Sequence, residues 1–251
     1  MDSFNWYDND DLWVALAPFL FNTERITTTS GAAEGILRLL NLPSGAWILD
    51  LCCGQGCFAV ELAKRGFRVT GVDRTAAFLA VAADLAQRGH LECEFIREDM
   101  LKFQRPSYYH AVISIFHSFG YHLRDEENCR VLRNAYFSLV DGGQLLIDML
   151  SKEQIVQSSQ FPIQERVGEE RLMCLRSFDE KMERVEDRWV LESGGTKREF
   201  RTSARMYSVE ELSLLLRACG FVDIRMNGGF DGRPYSRDRG RLLVIARKRG
   251  C

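Results

Sequence analysis

The chain has 251 residues, 46% hydrophobic and 27% charged, with a formal net charge of −2. That length suits one α/β domain with an elaboration, or two small domains, and the apolar content fills a core of that size. The near-neutral balance gives no pull toward nucleic acid or an anionic membrane, and no run is long and apolar enough to span a bilayer. The opening MDSFNWYDNDDLW is acidic, unlike a secretory or transit leader, which predicts a cytoplasmic protein. Eight cysteines occur without paired C-x-x-C units, so reduced thiols are expected and a zinc site is not.

In chain order, Asp11 to Phe21 and Thr29 to Leu42 read as helices, with Leu12, Leu16, Phe19 and Leu20 on the apolar face of the first. Trp47-Ile48-Leu49 then leads as a buried strand into Asp50, followed by a turn holding Gly54 and Gly56. A helix runs to Gly66, a left-handed stop, and a second strand from Phe67 to Val72 ends at Asp73. Glycines in such a turn let a ligand lie against the backbone, because no Cβ stands in the way. An acid at the tip of the second strand can accept both hydrogen bonds of a ribose diol. These features predict a nucleoside-containing cofactor.

The alternation continues. Thr75 is placed to cap a helix from Ala76 to Arg88, stopped at Gly89, and Cys93 to Ile96 is a short strand. Ala111 to Phe116, AVISIF, reads as a strand buried on both faces. Asp125 caps a helix through Leu139, Gly142-Gly143 ends it, and Gln144 to Asp148 is another strand. Strands alternating with helices predict a parallel, doubly wound sheet.

From Ser151 to Arg205 the rhythm changes. Arg171 to Phe178, Arg184 to Leu191 and Lys197 to Met206 alternate in polarity, as antiparallel strands do, with Gly194-Gly195 as a hairpin turn. Strands with one apolar face need something to cover, so the segment reads as a roof over the substrate pocket. The core resumes with a capping box, Ser208-Val-Glu-Glu211, and a helix to Cys219 stopped at Gly220. Phe221 to Met226 and Leu242 to Ala246 complete the sheet edge as a hairpin.

Two cofactor classes use such a glycine turn. Gly54-Gln-Gly56-Cys-Phe-Ala59 fits the dinucleotide pattern G-x-G-x-x-G/A, which cradles a pyrophosphate at a helix N-terminus. Asp50-Leu-Cys-Cys-Gly54-Gln-Gly56 fits Asp-x-x-x-Gly-x-Gly. On that segment the chain resembles the class I S-adenosylmethionine (SAM)-dependent methyltransferases. An acid four residues before the glycine suits the ammonium of SAM and would repel a pyrophosphate. The alternatives are an NAD-dependent oxidoreductase and a SAM-binding protein without catalysis. Where the family often has glycine, this chain has Cys52, so the backbone there must accept a small side chain.

The resemblance implies a Rossmann-like seven-stranded sheet of order 3-2-1-4-5-7-6, its seventh strand antiparallel. It divides the chain into a helical lid (1–46), a SAM-binding core (47–150), a β-rich substrate cap (151–206) and a segment completing the sheet (207–251). It assigns SAM to Asp50, Gly54, Gly56, Asp73 and its neighbour Arg74, Asp99, Met100 and Phe116. The N-terminal helices either pack simply against the sheet or form a lid over SAM that brings Tyr7 and Trp13 near the sulfonium, since aromatic faces attract cations. Asp99 and the Met100 amide take the adenine. The loop Phe116-His117-Ser118-Phe119-Gly120-Tyr121-His122 is where the acceptor belongs, and it holds two of the four histidines. His117, Tyr121 and His122 are the candidate catalytic residues, because histidine titrates near neutrality and tyrosine can orient a lone pair. That loop, the β-rich insertion and the hairpin from Asn227 through Arg239-Gly240 are similar to those of amino-sugar N-methyltransferases. A small-molecule acceptor is implied, its methylated atom left open among nitrogen, oxygen and carbon. Strand four lacks a D/N-P-P-Y type ending, which argues against nucleic acid, and only Asp148 could serve a metal at the strand ends. The Arg233–Arg249 tail reads as a solvated edge. A homodimer stays open.

Overall fold

The computed structural model describes residues 5–159, 162–238 and 240–250. Its main sheet has seven strands: β1 (Trp47–Leu51), β2 (Arg68–Asp73), β3 (Cys93–Arg97), β4 (Tyr109–Ser114), β5 (Leu139–Met149), β10 (Phe221–Asn227) and β11 (Leu242–Lys248). Read across the sheet the order is β3-β2-β1-β4-β5-β11-β10. The first five strands are parallel, and β11 runs antiparallel to both β5 and β10. This is the expected topology. The apolar runs go to the centre: Ala111, Val112 and Ile113 in β4 are fully buried.

Period-two alternation divides the core between the two faces. Leu145 and Ile147 point toward α5 (Asp125–Ser138) and α7 (Val209–Ala218). Leu146 joins Ile48 and Ile113 against α2 (Thr23–Leu40) and α3 (Cys57–Ala63). The helix α4 (Ala76–Arg88) packs beside β2 and β3. Strand order reverses between β1 and β4, which opens a crevice at their carboxyl ends.

Several boundaries differ from the sequence reading. The second helix begins at Thr23, capped by Asn22, and not at Thr29. Thr27, Thr28 and Thr29 are poor helix formers, but each hydroxyl bonds back to a carbonyl of the preceding turn and is satisfied there. Asp125 is the first residue of α5, with Arg124 as cap, and its carboxylate accepts the Tyr207 hydroxyl at 2.7 Å. Gly142-Gly143 does not stop that helix. The chain turns extended at Leu139, and the glycines lie inside β5 near a register shift in its pairing with β4. The fourth strand ends at Ser114, because Phe116 and His117 have left-handed φ of 57° and 64°. The helix expected to reach Gly66 ends at Ala63, although Gly66 is left-handed as expected. Thr75 precedes α4 without a side-chain capping bond.

A second, four-stranded antiparallel sheet follows β5 and a short helix α6 (Lys152–Ser158). Its order is β6-β7-β8-β9: Ile163–Val167, Glu170–Phe178, Arg184–Ser193 and Thr196–Arg205. Both glycines of the Gly194-Gly195 hairpin have positive φ, as a two-residue turn of primed type requires. The covered face of this sheet carries Leu172 and Leu191, which pack against Leu12, Ala15, Leu16 and Phe19 of α1 (Asp10–Leu20). Farther along, Val185 packs with Ile155 and Met206. Between these two clusters Arg176 and Asp187 form a bidentate, buried ion pair, both bonds 2.7 Å. A short helical turn at Trp6–Asp8 joins the same unit, with Trp6 Nε1 donating to the Ser203 carbonyl at 2.7 Å.

Candidate active site

The site is built on the turn after β1. Cys52, Gly54 and Gly56 all have left-handed φ, of 62°, 54° and 74°. Cys52 therefore holds, at some cost, the conformation that glycine adopts freely, and its Sγ rests 3.5 Å from Met100 Sδ. A Cβ on Gly54 would lie 2.7 Å from the Phe21 ring, so position 54 needs glycine for space as well as for φ. Gly56 caps α3, and a Cβ there would meet Ala82 and Phe95. Of the sequence-predicted cofactor residues, Gly56 is the one that does not line the cavity. It lets helices and sheet close up behind the turn.

A cleft of about 1150 Å³, its open mouth included, lies over this turn. Asp50, Gly54, Asp73, Arg74, Asp99, Met100, Phe116 and Tyr7 all line it. Three acids come from three consecutive strand ends. Asp50 is 3% exposed. Burial first, then repulsion from Asp73, push it up to about 7, against an amide hydrogen bond from Ala59. Asp73 accepts the amides of Gly54 (2.9 Å) and Thr75 (2.8 Å) on separate oxygens, and each oxygen keeps a second lone pair. Burial raises it, and those amide bonds oppose the rise. Asp99 accepts the Leu101 amide through Oδ1 at 2.8 Å.

The aromatic wall comes from the N-terminal segment and the loop after β4. Tyr7, Trp13, Phe21, Phe116 and Tyr121 line the cleft. Trp6 stands behind, its ring 4.8 Å from Tyr121 and 5.7 Å from Tyr7. Arg74 Nη1 fastens this segment by donating to the Tyr7 carbonyl at 2.7 Å, and it also pairs with Asp8. Among the described residues, none that lines the cleft belongs to the four-stranded sheet. The sheet reaches the site through α1, which it supports, and through Glu165, which pairs with the cleft-lining Arg25 at 3.5 Å; it does not itself form the wall expected of a roof.

The three candidate catalytic residues are separated. Tyr121 lines the cleft, and burial raises its pKa. His117 and His122 do not line it. The Leu150 amide faces His117 Nδ1 at 3.4 Å. Burial, and then Arg176 and Arg241, push His117 down to about 4, so its imidazole is neutral at physiological pH. His122 is fully buried behind Tyr7, its Nδ1 3.1 Å from the Tyr7 hydroxyl. Asp148 is also fully buried, paired with Arg241 and accepting the Phe116 amide at 2.9 Å, so its carboxylate serves the loop. Among the described residues no group of three or more His, Cys, Asp or Glu side chains could hold a metal ion. Cys52, Cys53 and Cys57 line the cleft, but burial keeps their thiols protonated, Cys57 near 11.

Sequence reasoning missed Arg25, Thr29 and Phe78, which also line the cleft. Arg25 sits in the first turn of α2, where its amide donates to the capping Asn22. Recognising that cap would have brought Arg25 to the helix end. The basic tail lies partly outside the described residues at position 239. Within them, Arg233 and Arg237 pair with Asp231 and Glu210, as a solvated edge would.

Residues 48–143 match the family model of a methyltransferase domain. A putative methyltransferase of Geobacillus sp. is 36% identical over 104 residues, spanning 41% of this chain and 42% of that protein. The cypemycin N-terminal methyltransferase of Streptomyces sp. is 24% identical over 214 residues, 81% of this chain and 84% of that protein. Among solved structures, a SAM-dependent methyltransferase from Clostridium acetobutylicum superposes with a TM-score of 0.78 at 14% identity, covering 96% of this chain and 99% of its own. The sugar N-methyltransferase KedS8 from Streptoalloteichus sp. gives 0.67 at 21%, covering 92% of each chain. The chain carries a SAM-dependent methyltransferase domain, and its cofactor is SAM. No comparison supports the dinucleotide alternative.

Proposed function

We propose that this SAM-dependent methyltransferase transfers the methyl group to a nitrogen of a small aliphatic amine. SAM supplies an electrophilic methyl on a sulfonium, and the residues present fit its parts. Asp50 is the carboxylate for the methionine ammonium, and Arg25, the cation on the α2 side of the same cleft, suits the carboxylate. Asp73 keeps a lone pair on each oxygen for the ribose diol, and Asp99 with the Met100 amide suits the adenine amino group.

The observation that carries the acceptor reading is the aromatic wall of Tyr7, Trp13, Phe116 and Tyr121. Aromatic faces attract cations, which suits both the sulfonium and the methylated ammonium that an amine becomes. The same apolar wall favours the neutral amine whose lone pair must attack. Most of the rate then comes from alignment in a closed site. Two similar proteins are named as an N-terminal methyltransferase and a sugar N-methyltransferase. In this reading the described part of 1–46 is the lid, 47–150 holds SAM, 151–206 braces the lid over the acceptor, and 207–251 completes the sheet. The free cysteines suit a reducing cytoplasm.

The test is release of S-adenosylhomocysteine over a matched panel of small amines, alcohols and activated carbon acids. Turnover of amines, with their hydroxyl counterparts inert, is expected. Release with alcohols or carbon acids alone would overturn the nitrogen assignment. Tight SAM binding with no release from any acceptor would favour a binding protein.

A further inference from the structure

The side chain of His122 is fully buried in the loop after β4, yet Nε2 has no hydrogen-bond partner. Its other nitrogen, Nδ1, lies 3.1 Å from the hydroxyl of Tyr7, and the two rings meet edge to face at 4.9 Å. The His122 carbonyl is pinned by Asn128 Nδ2 at 3.3 Å and Arg184 Nη1 at 3.1 Å, which fixes the main chain that carries the ring. Asn128 Oδ1 is itself buried without a partner and does not take Nε2. Tyr7 is equally fixed. Its carbonyl accepts from Trp13 Nε1 at 2.9 Å and Arg74 Nη1 at 2.7 Å, and its side chain lines the cleft.

A neutral histidine has one N–H to place. On Nε2 it would be a buried donor with no acceptor, the rarer kind of defect in folded proteins. On Nδ1 it meets the Tyr7 oxygen and leaves only an unused lone pair on Nε2. An imidazolium would restore the orphaned donor. Burial disfavours it, Arg184 adds to that, and the carboxylates of Asp99, Glu127 and Asp8 oppose it without reversing the direction.

We propose that His122 is a positioning residue: its Nδ1–H is donated to the Tyr7 hydroxyl oxygen, which turns the Tyr7 O–H into the cleft as a fixed donor toward an oxygen of the acceptor. A phenol whose proton faced His122 would present only lone pairs to the cleft. A phenol held from behind presents its hydrogen, so it selects an acceptor bearing a hydroxyl or carbonyl oxygen near the methylated nitrogen. His122 does not take the acceptor's proton. Only this oxygen preference and the activity measurements rest on the amine reading above.

The first test needs no acceptor. On the full chain saturated with S-adenosylhomocysteine, long-range ¹H–¹⁵N correlation spectra report which nitrogen of His122 carries the proton. The expected result is a protonated Nδ1 that does not titrate between about pH 6 and about pH 8.5, and a change of tautomer or onset of titration in Tyr7→Phe. A proton on Nε2, an imidazolium in that range, or an unchanged spectrum in Tyr7→Phe overturns the proposal, whatever the acceptor proves to be.

The second test uses whichever amine of the panel turns over. His122→Asn places an amide N–H near the position of Nδ1, so kcat/KM should stay within about threefold, while His122→Ala should lose tenfold or more. In a Tyr7→Phe background the His122→Ala loss should vanish, because nothing is left to position. A loss of equal size in that background means that His122 merely packs the loop, and the proposal fails.

Discussion

The backbone N–H of Gly54 donates to Asp73 Oδ2 at 2.9 Å, so the glycine turn and the second strand are tied by a carboxylate that also faces the cleft. Asp73 thus has two duties. Asp73→Ala is expected to weaken SAM binding by about 1.5–3 kcal/mol, the range for a lost hydrogen bond to a charged group. It also strands the amides of Gly54 and Thr75, so the melting temperature should fall as well. Calorimetry and a thermal melt check both. An unchanged dissociation constant would remove Asp73 from the ribose site.

Asp50 makes SAM affinity depend on pH. Only its ionised form attracts the methionine ammonium, and burial holds it near 7 in the free protein. As pH falls below about 7, affinity should therefore weaken by up to tenfold per unit, about 1.4 kcal/mol. Stability of the free protein has the opposite trend. The folded-state pKa lies above the ordinary aspartate value of 3.8, so the folded chain binds the extra proton. That contribution is complete below about 4 and is lost as pH rises through about 7. Saturating SAM should cancel the loss. Titration calorimetry and melts between pH 5.5 and 8.5 test the pair of trends, and Asp50→Asn should flatten both. A pH-independent affinity in that window would remove Asp50 from the ammonium site.

The four-stranded sheet packs on α1 and pairs Glu165 with Arg25 of α2, so its integrity should bear on the cofactor site. Leu191 is 1% exposed and packs beside the Leu12–Phe19 face of that helix, whose Trp13 and Leu20 line the cleft. Leu191→Ala should cost about 2–5 kcal/mol of stability, the usual range for a buried leucine. It should also weaken SAM binding, although Leu191 touches no part of the cleft. A sheet that served the acceptor alone would leave the SAM dissociation constant unchanged. Calorimetry at a temperature where the variant remains folded separates these outcomes.

The residues legible in the sequence were those whose chemistry sits in a contiguous stretch. Asp50, Gly54 and Asp73 fall within one strand–turn–helix–strand unit, where local spacing places them together. Asp99 and Met100 follow from the next strand end. Residues brought in by tertiary packing were not legible. Arg25 reaches the cleft because α2 starts at Thr23, six residues before Thr29, and hydroxyl-to-carbonyl bonds within the helix carry no pattern in sequence. Position also differed from proximity in the acceptor loop. Two left-handed residues, Phe116 and His117, redirect the chain after β4, so Tyr121 faces the cleft while His117 and His122 turn elsewhere. The short helix α6 left a readable sign in its capping box, Ser151 with Gln154. Contact between α1 and the second sheet spans more than a hundred residues and leaves none.

That redirected loop depends on Asp148. Arg241 pairs with its fully buried carboxylate through two nitrogens, Nη2 at 2.6 Å, while the Phe116 amide donates to Oδ2 and the His117 amide to the Asp148 carbonyl, each at 2.9 Å. The Arg241 guanidinium also lies 5.4 Å over the Phe116 ring, which faces the cleft. Arg241→Ala leaves an uncompensated buried charge, so a loss of about 3–5 kcal/mol is expected. Adding Asp148→Asn removes that charge and keeps a carbonyl oxygen for the Phe116 amide, so the double variant should be more stable than Arg241→Ala alone. SAM affinity should follow the same order, because it reads the placement of Phe116. Denaturant unfolding of the wild type, both single variants and the double variant gives the coupling energy. Additive losses would mean that the pair does not hold the loop.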